Sequence, residues 1–188
     1  MRIAVRTFRP GDVDLLAAAF ETWPKSRELF VDYADRVAAG SIDLLVGEVD
    51  GSLAGYLLIL WRSSYPPFAA SGIPEIADFN VLPWARRRGV GGALMDEAER
   101  RAGRRSALVG IGVGLYVDYG SAQRMYVRRG YLPDGAGVVI DGASARPGSM
   151  VRLDDSPALM FTKRLRNGSP LTTGDEPSQQ EPPTDVSG

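Results

Sequence analysis

The stretch Asp78-Phe-Asn-Val-Leu-Pro-Trp-Ala-Arg-Arg-Arg-Gly-Val-Gly-Gly-Ala93 carries the strongest structural signal in this chain. An apolar run ends at Pro83, three arginines follow, and three glycines within four residues precede an amphipathic segment. Amide N–H groups at the beginning of a helix have no intrahelical partner, and the helix dipole favours an anion there. Glycines let a phosphate approach the main chain, and guanidinium groups bind its oxygens. This order therefore predicts a strand, a turn that binds a phosphorylated ligand, and a helix.

The spacing of the glycines separates this turn from two other nucleotide-binding turns. A P-loop requires Lys-Ser or Lys-Thr after its glycines, and neither pair follows here. A Rossmann fingerprint requires a third glycine where this chain has Leu94, and it opens the first βα unit rather than a mid-chain segment. The turn has the pattern Arg86-x-x-Gly89-x-Gly91 instead. A solvated, arginine-rich surface loop is the alternative interpretation.

Composition limits the chemistry. The chain has 188 residues, of which 44% are hydrophobic and 24% charged, as expected for one soluble domain. It contains no Cys and no His, which excludes disulfides, thiolate catalysis, a Ser-His-Asp triad and the common zinc sites. Any acid or base must therefore be Asp, Glu, Tyr, Lys or water. We expect no metal.

Charge and hydropathy also bear on partners and location. The net charge of −1 argues against nucleic-acid binding, which depends on cationic surfaces. No run approaches the ~20 apolar residues that span a bilayer, so we expect no membrane partner. The N-terminal residues alternate as in a strand and do not resemble a signal peptide. We therefore expect a cytoplasmic protein.

Periodicity predicts alternating strands and helices. Strands are expected over residues 2–8, 42–49, 53–61, 75–82, 107–115 and 158–165, with a further strand from Tyr131. Helices are expected over residues 12–20, 26–39, 90–101 and 120–129. Asp50-Gly51 predicts a hairpin, whereas residues 62–74 and 134–156 are expected to be loops.

Two segments need separate interpretation. In strand 107–115, Gly110, Gly112 and Gly114 share one face, which fits either tight packing or a ligand groove. From Asn167 the chain is rich in Pro, Ser and acidic residues and lacks Lys, Arg and aromatic residues. We therefore expect one domain over residues 1–166 and a disordered acidic tail over 167–188.

Two motifs resemble the GNAT superfamily of N-acetyltransferases. The first is Val81-Leu82-Pro83 followed by Arg86-x-x-Gly89-x-Gly91. The second runs from Ala122 through Tyr126 to Gly130-Tyr131 and is similar to the family's Ala-x-x-x-Tyr-x-x-x-Gly-Phe. The resemblance covers roughly residues 2–166. It implies an α/β (α+β) fold with a mixed, mostly antiparallel central sheet flanked by helices.

The resemblance also implies acetyl-CoA as cosubstrate. The residues that would bind it lie at the strand end, in the turn, in the first helical turn and near the second motif: Val81, Leu82, Arg86, Arg87, Arg88, Gly89, Val90, Gly91, Gly92, Ala93 and Tyr119. At Tyr119 the family often has Asn, so the hydrogen bond from that Asn to the cofactor arm does not carry over unchanged.

Candidate catalytic groups follow from the same alignment of motifs. A backbone N–H near Val81, where the strand would bulge, could donate a hydrogen bond to the oxyanion that develops on the acetyl oxygen. Tyr126 suits the general acid, because an ordinary tyrosine pKa of about 10 keeps it protonated at neutral pH. A core tyrosine is the alternative interpretation. The base is Asp78, Glu75 or water, and a carboxylate paired with an arginine of the turn is the alternative for Asp78.

The implied function is transfer of acetyl to a primary amine by direct attack, with a small-molecule acceptor preferred to a protein N-terminus or lysine. The acceptor cleft is expected near Trp23–Tyr33 and the loop 134–156, where several acids would suit a cationic amine: Asp32, Asp35, Asp154 and Asp155. A non-catalytic acyl-CoA sensor is a different class that the sequence leaves open. A homodimer is also possible.

Overall fold

A computed structural model of the chain describes residues 1–165. The predicted tail at 167–188 lies outside the described residues. A single eight-stranded sheet has the order β1-β2-β3-β4-β5-β8-β6-β7. Its strands are β1 Ile3–Thr7, β2 Ile42–Val49, β3 Ser52–Leu60, β4 Glu75–Val81, β5 Leu108–Gly114, β6 Leu132–Ile140, β7 Ala143–Ser144 and β8 Ala158–Arg164. Every neighbouring pair is antiparallel except β4–β5, which is parallel. The sheet is therefore mixed and mostly antiparallel, as predicted.

Helices cover both faces of the sheet. They are α1 Asp12–Ala19, α2 Arg27–Ala38, α3 Pro66–Ala70, α4 Val90–Ala102 and α5 Gly120–Arg128. Successive side chains of a strand point to opposite faces, and β2 shows the result. Leu45 packs in the cluster with α4 and α5, while Leu44 and Val46 pack in the cluster with α1 and α2. Within residues 1–165, none of the helices is both long and apolar enough to span a bilayer.

The predicted hairpin at Asp50-Gly51 is confirmed. Both residues have positive φ, 49° and 83°, and Val49 pairs directly with Ser52. These features define the two-residue turn whose twist matches that of the flanking strands. Most other predicted strands and helices agree with the structure to within one or two residues.

Two predicted loops contain regular structure. The expectation of an irregular loop over 134–156 is wrong in part, because β6 continues to Ile140 and β7 pairs with it. Gly135 and Gly137 have φ of 90° and 71° inside a register shift between Pro133 and Val138. Glycines that suggest a turn therefore accommodate a bulged strand here. Within the predicted loop 62–74, Pro66 begins the short helix α3.

The glycine face of β5 is packed by side chains. A Cβ on Gly110 would lie 2.1 Å from Cε2 of Phe68, and one on Gly114 would lie 2.4 Å from Cε2 of Tyr119. A Cβ on Gly112 would lie 3.1 Å from Sδ of Met160. Tight packing, and not a ligand groove, therefore explains these glycines.

Candidate active site

The parallel strands β4 and β5 separate soon after β4 begins. They pair only at Glu75 with Gly110 and at Ile76 with Ile111. The remainder of β4 runs on from Ala77 to Val81 without pairing to β5. A gap between the two strands therefore opens in the middle of the sheet.

A bulge in β4 lies beside this gap. Ala77 pairs with Leu58 and Asn80 with Tyr56, so Asp78 and Phe79 together oppose one residue of β3. Asp78 has φ of 43°, a conformation rare for residues other than glycine. The sequence placed a bulge near Val81, and the structure places it three residues earlier. Because a bulge redirects side chains, Asp78 and Asn80 lie on the α1–α2 face.

The N-terminus of α4 has backbone amides without hydrogen-bond partners in the described part of the chain, beside an arginine-rich turn. Ala93 donates the first helical hydrogen bond, to the Gly89 carbonyl at 3.0 Å. No side chain among residues 1–165 caps this terminus, so the amides before Ala93 lack helical acceptors. Arg86, Arg87 and Arg88 are all exposed next to them. This arrangement has the charge and donors of an anion site.

The three glycines of the turn differ in what they do. Gly89 has φ of 88°, which L side chains rarely adopt. A Cβ on Gly91 would lie 3.2 Å from Cζ of Phe79, so Gly91 lets α4 pack closely on β4. A Cβ on Gly92 would meet nothing within 4 Å. Of the three, Gly92 therefore has open space at the position that a Cβ would occupy.

Two arginines of the turn are held by neighbouring groups. The Nε of Arg86 donates to the Val81 carbonyl at 3.0 Å, and its guanidinium lies 5.8 Å from the Trp23 ring centroid. Arg88 lies 5.9 Å from the Trp84 ring centroid. An open groove of about 750 Å³ runs alongside, and Trp23, Leu82 and Trp84 are among its lining residues. The sequence-predicted residues Leu82 and Val81 thus lie between the turn and the bulge.

Asp78 is the centre of a polar cluster. Lys25 donates to its Oδ1, and the amide of Asn80 donates to the same oxygen at 2.9 Å. The hydroxyls of Tyr33 and Tyr56 donate to Oδ2 at 2.8 and 2.7 Å. Burial raises the pKa of Asp78, but Lys25 and the tyrosine hydroxyls outweigh it and hold the pKa below its ordinary value. The carboxylate is therefore ionised at neutral pH.

Glu75, the other candidate base, has a different environment. Its carboxylate accepts a hydrogen bond from the Ser63 hydroxyl, and burial raises its pKa. It lies where β4 still pairs with β5, opposite Gly110. Asp78 therefore borders the gap, whereas Glu75 precedes it.

Tyr126 lies in α5 and is 4% exposed. Its ring centroid is 5.9 Å from that of Tyr131, and it packs in the same cluster as α4 and the apolar face of β5. Burial raises its pKa, so the phenol stays protonated at neutral pH. Among residues 1–165 the hydroxyl has no hydrogen-bond partner, which leaves it available to donate.

Tyr119 connects the end of β5 to the segment before β8. Its ring covers Gly114, and its hydroxyl donates to Asp155 Oδ1 at 2.9 Å. Tyr116 donates to the same oxygen. These hydrogen bonds lower the pKa of Asp155, and the nearby charge of Lys25 contributes to the same shift.

The structure gives the surroundings of the other acids that the sequence assigned to the acceptor cleft. Asp32 is 3.6 Å from Arg36 and Asp35 is exposed, both on α2. Asp154 is 3.4 Å from Arg152. Sequence reasoning also missed Lys25, Tyr33 and Tyr56 as partners of Asp78. The available signal was weak, since tyrosines at apolar positions usually indicate core packing.

Comparison with known proteins identifies the family. A profile described as the acetyltransferase (GNAT) family matches residues 12–131, and the chain belongs to this family. No curated protein matches the chain.

Solved structures with the same fold include three that are named for acetyltransferases. One is described as a GNAT-family acetyltransferase from Desulfovibrio desulfuricans, with 20% identity, a TM-score of 0.66 and coverage of 87% of this chain and 99% of that one. PaiA N-acetyltransferase from Thermoplasma acidophilum, in complex with coenzyme A, has 15% identity, a TM-score of 0.61 and coverage of 87% and 99%. A spermidine N-acetyltransferase chimera of Vibrio cholerae SpeG and hSSAT has 12% identity, a TM-score of 0.64 and coverage of 88% and 96%. At these identities the likeness shows the fold.

Proposed function

We propose that this chain transfers an acetyl group from acetyl-CoA to a primary amine by direct attack of the amine on the thioester. The observation that carries the proposal is the N-terminus of α4. Its unpaired amides, the open space at Gly92 and three exposed arginines lie beside the gap between β4 and β5. Membership of the GNAT family supports acyltransferase chemistry, and a structure of the same fold holds coenzyme A.

In this proposal the cofactor extends from the turn to the bulge. The amides of Gly89–Ala93 bind the diphosphate, with charge from Arg86–Arg88, because helix N-termini and guanidinium groups both favour phosphate. The arm passes Leu82 and Val81 into the gap. The acetyl group then lies near the bulge at Asp78–Phe79, where a backbone amide released from regular pairing donates to the developing oxyanion.

In the proposed reaction Tyr126 is the general acid and Asp78 is the general base. The amine nitrogen forms a bond to the acetyl carbon, the carbon–sulfur bond breaks, and Tyr126 gives its proton to the departing thiolate. Asp78 attracts the ammonium form of the acceptor and accepts one proton from it, directly or through water, before the attack. The second proton, which the nitrogen loses after the attack, passes to water, and a proton from water restores Tyr126. We assign this role to Asp78 and not to Glu75, because Asp78 borders the gap where the acetyl group is proposed to lie.

The acceptor is proposed to be a small cationic amine. Asp78 is an ionised carboxylate that already binds one ammonium, that of Lys25, so the site suits positive charge. The fold alone does not distinguish a small-molecule acceptor from a protein acceptor. One structure of this fold is named for spermidine and another, from Escherichia coli, for the alanine of ribosomal protein S18.

An acceptor screen tests the proposal. Purified full-length protein is supplied with acetyl-CoA and a panel of alkylamines, polyamines, amino acids and peptides, and release of CoA thiol is followed. Turnover with at least one amine is expected. Tight binding of acetyl-CoA without turnover on any amine would indicate the non-catalytic sensor, and absence of binding would refute both.

A further inference from the structure

We propose that Lys25 accepts an acetyl group within its own chain, so that the protein acetylates itself at this one lysine. The inference rests on the proposed function, because it takes acetyl-CoA as the donor. Lys25 is the last residue before the Ser26 cap of α2, in the connection between α1 and α2. Its side chain is 18% exposed and ends on the Asp78 carboxylate.

The position of the ammonium is fixed at the bulge of β4. Lys25 donates to Oδ1 of Asp78, and the same carboxylate accepts hydrogen bonds from Asn80, Tyr33 and Tyr56. Asp78 lies in the part of β4 that does not pair with β5. The ammonium therefore lies at the edge of the gap in which the thioester is proposed to lie.

The Lys25–Asp78 pair has the geometry of an acceptor amine and its base. A nucleophile and a base within hydrogen-bond reach form the usual unit for attack on a carbonyl. Lys25 ammonium gives one proton to Asp78, which passes it to water. The lone pair of the free amine then forms a carbon–nitrogen bond to the acetyl carbon, the carbon–sulfur bond breaks, and Tyr126 protonates the departing sulfur to give CoA thiol. The acylated nitrogen loses its second proton to water, and a proton from water restores the Tyr126 hydroxyl. The net products are acetyl-lysine, CoA and one proton.

The chain supplies its own control. Lys25 and Lys163 are the two lysines of the full sequence. Lys163 is also partly buried and also ends on a carboxylate, that of Glu99. It lies over the Tyr131 ring, 5.5 Å from its centroid, on the α4–α5 face of the sheet. The two side chains therefore match in burial and pairing and differ in their distance from the bulge.

The test is peptide mapping after incubation of the full-length chain with isotope-labelled acetyl-CoA, in a buffer without primary amines. Label is expected on Lys25 about 100-fold faster than on Lys163 or the N-terminal amine, since a positioned acid or base contributes about that factor. The first-order rate constant for labelling of Lys25 should not change when the protein is diluted, because the reaction takes place within one chain. Lys25→Arg should remove the label, and Lys163→Arg should not. Protein that arrives from the expression host with acetyl on Lys25 and none on Lys163 gives the same support.

Equal labelling of Lys25, Lys163 and the N-terminus would mean ordinary chemical acetylation and would overturn the proposal. Absence of label on Lys25 in protein whose Lys25 is unacetylated at the start would also overturn it. A binding titration with acetyl-CoA on the same sample separates the two proposals. Binding without labelling refutes self-acetylation alone, whereas absence of binding refutes the proposed function.

Discussion

Replacing Gly92 with glutamate is expected to stabilise the fold and weaken acetyl-CoA binding. Gly92 is the third residue of α4, and a Cβ there meets nothing within 4 Å. The change therefore introduces a side chain without a clash. The neighbouring Gly91 does not allow such a test, because its Cβ would lie 3.2 Å from the Phe79 ring and disturb packing.

The substitution is expected to raise the stability of the fold and to lower the affinity for acetyl-CoA. Glutamate replaces a glycine inside a helix, which gains somewhat less than the roughly 0.8–1 kcal/mol that separates glycine from alanine, and its charge near the N-terminus adds about 0.3–1 kcal/mol. For a domain of this size each kcal/mol raises the melting temperature by about 2–4 °C. A carboxylate about 6 Å from a phosphate charge opposes binding by roughly 0.7–2.8 kcal/mol for an effective dielectric constant between about 80 and 20. Acetyl-CoA affinity should therefore fall about 3–100-fold.

The assay pairs thermal melting with calorimetric titration of acetyl-CoA for the parent, Gly92→Glu and Gly92→Gln. Glutamine has nearly the shape of glutamate without the charge, so the difference between these two variants is electrostatic. That difference should shrink as salt is added. If Gly92→Glu binds acetyl-CoA as tightly as Gly92→Gln at low salt, the diphosphate does not lie at this helix terminus.

Three further predictions concern single elements of the fold and site. Tyr126→Phe should lower turnover about 10²–10⁴-fold with little change in acetyl-CoA affinity. Tyr131→Phe removes the hydroxyl of the buried tyrosine that packs beside Tyr126 and should keep turnover. Equal turnover in both variants would exclude Tyr126 as the acid. Asp12→Asn should lower the free energy of unfolding at pH 7 by about 2–3 kcal/mol, because Asp12 accepts two hydrogen bonds from Arg6 at 2.7 and 2.9 Å. Burial raises the pKa of Asp12, but the hydrogen bonds and charges of Arg6 and Arg9 together lower it more. This stability is therefore present above the unfolded pKa of about 3.9 and lost as the pH falls. Urea unfolding against pH should show a shallower acid limb in Asp12→Asn, and an unchanged limb would refute the linkage. Deletion of 167–188 should leave the melting temperature and acetyl-CoA affinity unchanged because the segment contains few apolar side chains; a melting temperature lower by several degrees would show that it packs on the domain.

Features that depend on local sequence could be predicted. The Asp50-Gly51 hairpin follows from two residues that tolerate positive φ. The α4 helix and the turn before it follow from periodicity and glycine placement. In each case the residues that decide the structure are neighbours in the chain.

Features that depend on contacts between distant residues could not be predicted. Lys25 and Asp78 are 53 positions apart, and no local pattern pairs them. The glycines of β5 gave two equal interpretations, because only the packed structure shows that Phe68 and Tyr119 fill the space above them. In β6, Gly135 resembles a turn residue, and pairing with β8 decides that the strand continues through a bulge.

The bulge in β4 explains how one strand can serve both substrates of the proposed reaction. Ile76 packs toward α4, and strict alternation would place Asp78 on that same face. The extra residue instead directs Asp78 to Tyr33 and Tyr56 on the α1–α2 face, while Phe79 lies against Gly91 at the start of α4. Cofactor contacts and acceptor contacts can thus come from adjacent residues on opposite faces. A regular strand would bury the carboxylate against the apolar side of α4, where an unpaired charge is strongly unfavourable.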